Sequence, residues 1–128
     1  MLKNLLASSP KKNAAKKLRQ LIDTEQHFLS VDFGLEFLEE EMGLDKKILS
    51  KLIEKEYGMD FYTLLRKLRI GYLRSFVSKY GDSLSLSDYA KFTGHKEVSF
   101  MLHALKQETG LDFDDFCRYS ITVEERTK

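Results

Sequence analysis

Apolar side chains recur along most of this chain at intervals of three and four residues, the spacing of one face of an α-helix. The longest such stretch lies between Gly58 and Tyr80. Its apolar positions are Phe61, Leu64, Leu65, Leu68, Tyr72, Phe76 and Val77. Asp60 suits the N-cap of this stretch, and Gly58 suits the end of a preceding helix. The pattern therefore predicts one long helix that begins near Asp60 and ends near Tyr80.

Shorter helices are predicted on both sides of the long one. They are expected at about Pro10–Leu29, Leu35–Met42, Lys46–Tyr57, a segment capped by Ser85 or Ser87, Lys96–Thr109 and a last segment with Phe113, Phe116 and Cys117. In the helix over 46–57 the residues expected to face the core are Ile48, Leu49, Leu52 and Ile53. Every element that the pattern predicts is helical. The sequence thus predicts an all-α protein with about seven helices.

An internal repeat relates the two sides of the long helix. Residues 58–61 (Gly-Met-Asp-Phe) and residues 110–113 (Gly-Leu-Asp-Phe) lie 52 positions apart, and Leu49 matches Met101 at the same offset. Each copy has a short helix, a turn with a glycine (Gly43 or Gly94) and a longer helix. Two helices joined by a short glycine-containing turn form a helix-turn-helix. The repeat therefore predicts two helix-turn-helix units with the long helix between them.

Charge is uneven along the chain although the net charge is only +1. Residues 1–22, 23–60, 61–80 and 81–128 carry formal charges of +6, −7, +5 and −3, so the long helix is a basic segment between two more acidic ones. The one cysteine, Cys117, excludes an internal disulfide and suggests a reducing compartment. No apolar run approaches the roughly 20 residues that span a bilayer, and MLKNLLA is too short for a signal peptide. We therefore expect a cytoplasmic protein without a membrane partner.

These patterns suggest a division of the chain. We interpret residues 1–12 as a flexible lead-in or linker and residues 13–128 as the folded domain. Within the domain we expect an N-terminal helix and the first helix-turn-helix over 13–57 and the connecting helix over 58–80. The second helix-turn-helix is expected over 81–121, followed by a polar tail over 122–128.

One family shows the same motifs in the same order. In this chain they are Leu38, Gly43-Leu44-Asp45, Leu49-Ser50-Lys51, Glu56 to Phe61, Leu65 to Arg69, Leu84 to Ala90, Gly94 and Lys106 to Gly110. Over about 85 residues they resemble the DNA-binding domain of the AraC/XylS family of bacterial transcription regulators. The resemblance implies two homeodomain-like helix-turn-helix subdomains joined by a long linker helix. It further implies that the second helix of each subdomain enters the major groove of double-stranded DNA.

The resemblance also implies which residues face the bases. The matching positions are Lys47, Ser50 and Lys51 in the first recognition helix, and Val98, Ser99, Leu102 and His103 in the second. Lysine can hydrogen-bond to guanine O6 and N7. Two alternatives stay open. The lysines of the first helix can form an ordinary solvated face, and Phe100, Leu102 and His103 can pack against protein.

A second set of residues is expected at the DNA backbone. These phosphate candidates are Arg66, Lys67, Arg69, Arg74 and Lys96, and the alternative is an ordinary exposed face. Gly71 lies among them and is expected to pack closely against a neighbour, because glycine inside a helix costs about 1 kcal/mol relative to alanine. Among the positions that depart from the family pattern are Glu39, where alanine is usual, and His95, where an aromatic core residue is usual.

The sequence favours a binding protein over an enzyme. No histidine has carboxylate or cysteine partners at metal-ligand spacing, and no phosphate loop or nucleophile–base pair is present, so we expect neither a metal nor a cofactor. The first hypothesis is a sequence-specific DNA-binding transcription regulator in the bacterial cytoplasm, associated with the nucleoid when bound. RNA polymerase and an upstream effector or signalling domain are further candidate partners. The alternative is a degenerate helix-turn-helix domain that serves as a protein-interaction module with weak or no DNA binding.

Overall fold

The computed structural model describes residues 10–127, and side chains from residue 13 to residue 120. Its α-helices are α1 (Pro10–Arg19), α2 (Leu35–Met42), α3 (Lys46–Tyr57), α4 (Phe61–Tyr80), α5 (Leu86–Phe92), α6 (Val98–Thr109) and α7 (Phe113–Thr127). Short π and 3₁₀ turns cover Gln20–Thr24, His27–Leu29 and Gly81–Ser83. Over residues 10–127 the structure has no β-strand, so the predicted all-α class is confirmed. The first nine residues of the predicted lead-in lie outside the described residues.

Caps at the helix ends explain why several predicted bounds agree with the structure. The Asp45 carboxylate accepts a hydrogen bond from the backbone N–H of Ile48 at 2.9 Å and so caps α3. Gly58 ends α3 in the left-handed conformation, with φ of 73°. Ser85, not Ser87, caps α5, because Ser85 and Asp88 form a reciprocal capping box. Local side-chain chemistry therefore sets the ends of both helices.

Two helix ends differ from the prediction. Helix α1 ends at Arg19 and passes into the π turn instead of continuing to Leu29. Gln26 then adopts a positive φ of 55°, which a continuing helix does not allow. At the other end of the chain, α7 continues to Thr127, beyond the expected end near Ile121. No helix within residues 10–127 is both long enough and apolar enough to cross a bilayer.

The chain forms two compact units. The first unit consists of Met1–His27 and Phe33–Phe61, and in it α2 contacts both α1 and α3. The second consists of Phe28–Asp32 and Tyr62–Lys128, and in it α6 contacts both α5 and α7. The pair α2–α3 and the pair α5–α6 are the two predicted helix-turn-helix motifs.

In the first unit, helices α1 to α3 contribute only apolar residues to the interior among the side chains that are described. Those that are buried are Leu18, Leu35, Leu38, Leu49 and Ile53. Polar contacts link the end of α1 to the end of α3: Arg19 Nη2 donates to the carbonyl oxygen of Glu56 at 2.6 Å, and the Tyr57 hydroxyl donates to Asp23 at 3.2 Å. Burial and the nearby Asp23 carboxylate raise the pKa of Tyr57, which stays neutral.

The second unit has a continuous apolar core. Its buried members are Ile70, Leu73, Val77, Tyr89, Ala90, Met101, Leu105 and Phe116. The Tyr89 hydroxyl satisfies its hydrogen-bonding capacity by donating to the carbonyl oxygen of Gly81 at 2.6 Å. Helices α4 to α7 all contribute, so each helix of this unit is held by the same core.

Two glycines differ sharply in their surroundings. A Cβ atom at Gly71 would meet nothing within 4 Å, so the expected close packing at Gly71 is wrong. Gly94 has a φ of 82°, and a Cβ atom there would lie 2.7 Å from the carbonyl oxygen of Phe28 and 2.8 Å from Arg69 Nε. Glycine is required at position 94 and is replaceable at position 71.

We predict that Gly71→Ala increases the free energy of unfolding by about 1 kcal/mol. Gly71 lies inside α4 with open space around it, so alanine removes the entropy cost of glycine and meets no neighbour. Urea unfolding monitored by circular dichroism measures the change. A decrease in stability would contradict the prediction, because it would mean that the alanine side chain meets a neighbour.

We predict that Gly94→Ala destabilises the protein by roughly 3 kcal/mol. The side chain adds left-handed backbone strain and also forces Phe28 or Arg69 to move. The same urea experiment tests this, with Gly71→Ala as the matched control for an identical chemical change. Equal effects of the two substitutions would contradict the prediction.

Candidate nucleic-acid interface

The exposed face of α3 is basic. Its four lysines, Lys46, Lys47, Lys51 and Lys55, are all exposed, and none has an ion-pair partner among the residues whose side chains are described. The third base-facing candidate of this helix, Ser50, is half-buried. Lys47 and Lys51 are four residues apart and thus lie on one side of the helix. This face of α3 is free to meet a negatively charged partner.

Ile48 lies on this exposed part of α3. Its side chain is 52% exposed, whereas Leu49 and Ile53 are fully buried, so the expectation that Ile48 faces the core is wrong. In a helix, consecutive residues point about 100° apart, and the core contact of α3 runs through the pair Leu49 and Ile53. The spacing of apolar residues therefore assigned Ile48 to the buried face of α3, whereas its side chain lies at the surface.

Helix α6 divides its four candidate residues between surface and core. Ser99 and His103 are exposed, whereas Val98 and Leu102 are half-buried and pack against the core of the second unit. Phe100 is 55% exposed. The alternative that Phe100, Leu102 and His103 all pack against protein therefore applies to Leu102 alone.

The internal repeat relates the exposed residues of the two helices. Ile48 and Phe100 are separated by the repeat offset of 52 residues, and each is the third residue of its helix. The same offset relates Lys51 to His103. The base-facing candidates include neither Ile48 nor Phe100, although comparing the two copies position by position shows a large apolar residue at the same place in both.

Two basic residues of α4 are paired within the second unit. Arg66 Nε donates to Glu108 Oε1 at 3.1 Å, and Lys67 Nζ donates to Glu108 Oε2 at 2.9 Å. Burial raises the pKa of Glu108, but the hydrogen bonds from Lys67 and Arg66 outweigh burial, and the pKa is lowered overall. The carboxylate therefore neutralises part of the positive charge of these two phosphate candidates.

Arg69, a third phosphate candidate, has partners inside the protein. Its Nε donates to the carbonyl oxygen of Phe28 at 2.7 Å, and its Nη2 donates to that of Ser30 at 3.0 Å. Burial lowers the pKa of Arg69 to about 10, so the guanidinium stays charged at neutral pH. These contacts give Arg69 a role in holding residues 28–30.

The remaining phosphate candidates lie at the surface. Arg74 is exposed, and its guanidinium carbon lies 5.6 Å from the centre of the Phe116 ring. Lys96 is exposed in the turn before α6. Neither forms an ion pair with another residue whose side chain is described. Arg74 and Lys96 are thus the phosphate candidates with free charge.

His95 is buried in the turn between α5 and α6. The Thr93 hydroxyl donates to the carbonyl oxygen of Tyr89 at 2.7 Å, so its oxygen accepts from Nδ1 of His95 at 2.9 Å. Burial and, second, the charge of Arg69 lower the pKa of His95 to about 4. His95 is therefore neutral at pH 7 and replaces the expected aromatic core residue as part of a hydrogen-bonded turn.

The two helices of the first helix-turn-helix carry exposed acidic residues. Glu36, Glu40, Glu41 and Glu54 are exposed. Ala90 corresponds to Glu39 at the offset of 51 residues that also relates Gly43 to Gly94. Ala90 is buried, whereas Glu39 is half-buried, so the Glu39 carboxylate retains access to water. Among the described residues no group of three or more His, Cys, Asp or Glu side chains is arranged to hold a metal ion.

The structure resembles several solved bacterial domains. The C-terminal domain of AraT, a response regulator from Geobacillus stearothermophilus, matches with 22% identity and a TM-score of 0.70 over 88% of this chain and 86% of that chain. The C-terminal domain of the two-component response regulator YesN from Fusobacterium nucleatum matches with 22% identity and a TM-score of 0.70 over 80% and 97%. A protein of unknown function from Listeria innocua matches with 20% identity and a TM-score of 0.68 over 80% and 94%.

These matches define the class of fold. No protein-family model and no curated protein sequence matches the chain. At about one-fifth identity the structural matches establish the fold, which is that of the C-terminal domains of bacterial response regulators. The predicted double helix-turn-helix fold is confirmed, and the resemblance found in the sequence holds at the level of the fold.

We predict that stability falls by about 2 kcal/mol between pH 7.5 and pH 5 through His95 alone. The unfolded chain binds the His95 proton with a pKa near 6.5 and the folded chain with a pKa of about 4, so protons favour unfolding over this range. Urea unfolding at both pH values measures the loss.

His95→Gln is the matched control, because glutamine keeps a donor for Thr93 but does not titrate. The pH dependence of the variant should be smaller by the same amount. Identical pH dependence in the two proteins would contradict a buried, neutral His95. Any other group that titrates between pH 7.5 and pH 5 affects both proteins equally.

Proposed function

We propose that this chain is a sequence-specific DNA-binding domain of a transcription regulator, with α3 and α6 as its recognition helices. The observation that carries the proposal is the exposed lysine face of α3, the second helix of a helix-turn-helix, whose lysines have no ion-pair partner among the described side chains. The second helix of this motif is the one that enters the major groove. Lys47 and Lys51 are proposed to contact base edges, with Ser50 beside them.

The charge of α3 suits a polyanionic partner. Glu54 is its only exposed acid, and its other acid, Glu56, is half-buried and bound to Arg19. The net charge of the chain is close to neutral, so the local charge of this face decides whether DNA binds. Each lysine that neutralises a phosphate releases counterions, which supplies affinity at low salt.

Helix α6 is proposed to contribute fewer charged contacts. Its exposed candidates are Ser99 and His103, which can hydrogen-bond to bases or phosphates. Val98 and Leu102 contribute through packing, since both lie against the core. Arg74 and Lys96 are the proposed phosphate contacts. Arg66 and Lys67 are proposed to contribute less, because Glu108 neutralises part of their charge.

A signalling partner is also proposed. AraT and YesN are response regulators, and the matching parts are their C-terminal domains. This supports a role in which an upstream signalling domain controls the DNA-binding domain. RNA polymerase is the proposed recipient of the output, since a transcription regulator acts through it.

The second candidate function is a protein-interaction module with weak or no DNA binding. It is favoured by α6, where an exposed Phe100 and an uncharged Ser99 take the place of a basic face. The exposed acids of the first unit also oppose a polyanion. Salt dependence of DNA binding separates the two candidates.

We predict that Lys47→Ala with Lys51→Ala reduces the dependence of log K on log[salt] by about two units for duplex DNA. Each phosphate-neutralising lysine contributes a slope of roughly 0.9, and a lysine that contacts a base releases counterions as well. Fluorescence anisotropy with a labelled duplex, measured from low to moderate salt, gives the slope for the unaltered protein and for the double variant.

Lys16→Ala with Lys17→Ala is the matched control, because both lysines are exposed on α1 and the net charge changes equally. If this control lowers the slope as much as the α3 variant does, general charge explains the binding. If the unaltered protein does not bind duplex DNA at low salt, the protein-interaction function replaces the proposal.

A further inference from the structure

We infer that Ile48 and Phe100 each contact the C5-methyl group of a thymine in the major groove, so that the target DNA carries a thymine opposite each recognition helix. This inference rests on the proposed function and adds the chemical identity of the bases contacted. It assigns a role to two residues that the base-facing candidates do not include.

The first observation is the exposure of both side chains. Ile48 is 52% exposed and Phe100 is 55% exposed, although both belong to well-packed helices whose buried residues are fully covered. Single exposed apolar residues are common on protein surfaces and need no explanation by themselves. Exposure alone therefore does not assign a function to either residue.

The second observation is that the two residues occupy the same place in the two copies of the repeat. Each is the third residue of the second helix of its helix-turn-helix, 52 positions apart in the chain. The neighbouring exposed positions differ in chemistry, with Lys47 against Ser99 and Lys51 against His103. Only the large apolar character is shared, which sets this position apart from its surroundings.

Local structure places Ile48 and Phe100 in the first turns of their helices. The backbone N–H of Ile48 donates to the Asp45 cap at 2.9 Å, so the residue lies in the first turn of α3. The N-terminal residues of a recognition helix are those that contact base edges. Phe100 lies in the first turn of α6, where its N–H donates to the carbonyl oxygen of Glu97 at 3.2 Å.

The chemistry of the groove selects thymine as the partner. Isoleucine and phenylalanine side chains neither donate nor accept hydrogen bonds, and the C5-methyl of thymine is the apolar group that a base pair presents in the major groove. A protein partner is less suited to Ile48, because Lys46, Lys47 and Lys51 lie close to it in the sequence and are exposed. The charge around the apolar side chain points to a polyanion.

The size of the effect follows from the buried methyl group. Removing one methyl from an apolar contact costs close to the transfer free energy of a CH₂ group, which corresponds to roughly a fourfold change in affinity. Thymine and uracil differ by this methyl alone. Replacing thymine by deoxyuridine thus removes the proposed contact and leaves every hydrogen-bonding group in place.

The experiment uses the full chain and begins with selection of binding sites from a randomised duplex. In the best selected duplex, each thymine is then replaced by deoxyuridine, one at a time, and the affinity is measured by anisotropy at fixed salt. We expect at least two thymines whose replacement weakens binding about fourfold. This measurement needs no protein variant and so does not depend on whether a variant folds.

Two variants assign each thymine to its side chain. With Ile48→Ala, one of the sensitive thymines should become insensitive to replacement, and with Phe100→Ala the other should. Val31→Ala is the matched control, since Val31 is an apolar residue that is 39% exposed outside the helix-turn-helix motifs. It should leave both thymine effects unchanged.

The outcomes separate this inference from the proposed function. Selected DNA that binds with no sensitivity to deoxyuridine overturns the inference and leaves the DNA-binding function standing. A sensitivity that persists in Ile48→Ala and Phe100→Ala also overturns it, because other residues then contact the methyl groups. Failure to bind any duplex at low salt overturns the proposed function itself, and the inference with it.

Discussion

The hydrogen bonds of the Arg69 guanidinium hold residues 28–30 against α4 in the second unit. This side chain of α4 is half-buried, remains charged, and donates hydrogen bonds to the backbone carbonyl oxygens of Phe28 and Ser30. Burying a charge is costly unless hydrogen bonds compensate it, so the segment 28–30 and the arginine require each other. Gly94 approaches the same place so closely that no side chain fits, and His95 beside it stays neutral next to the positive charge.

This constraint explains why the turn of the second helix-turn-helix has its sequence. Thr93, Gly94 and His95 are all buried, and each has a distinct part: a hydroxyl that bonds to Tyr89, a position without Cβ, and an imidazole that bonds to Thr93. An aromatic ring at position 95 would leave the Thr93 oxygen without this donor. The turn of the first unit needs only Gly43 in a left-handed conformation and the Asp45 cap.

The sequence predicted those parts of the fold that depend on local chemistry. The ends of α2 and α3 and the start of α5 follow from Gly43, Asp45, Gly58 and Ser85, which act through hydrogen bonds to residues within the same turn. The end of α1 was not predictable, because periodicity of apolar residues continues through the π turn and gives no sign of the positive φ at Gln26. The expected close packing at Gly71 was wrong for a similar reason. The sequence shows that glycine lies inside a helix, which lowers helix stability, but it does not show the open space around that residue.

The candidate site was predictable in outline and not in detail. A basic amphipathic α4 is evident from spacing, but the partners of Arg66, Lys67 and Arg69 lie about 40 residues away in the chain, and no local pattern identifies them. The exposure of Ile48 depends on which neighbouring residue, Ile48 or Leu49, faces α2, and periodicity does not separate two adjacent apolar residues. The internal repeat does supply a signal, because it pairs Ile48 with Phe100.

The two recognition helices consequently differ in the physical basis of their proposed contacts. Helix α3 combines exposed lysines with one exposed apolar side chain, so both electrostatic attraction and contact with bases are available to it in the proposed complex. Helix α6 presents Ser99, Phe100 and His103 and has little charge in this region, so its contribution depends on close contact and less on salt. In the proposed complex, α3 would therefore supply most of the electrostatic attraction, whereas α6 would act mainly through direct contact. In the proposed complex, two copies that differ in charge but share an apolar position would let one copy hold the duplex while both distinguish its bases.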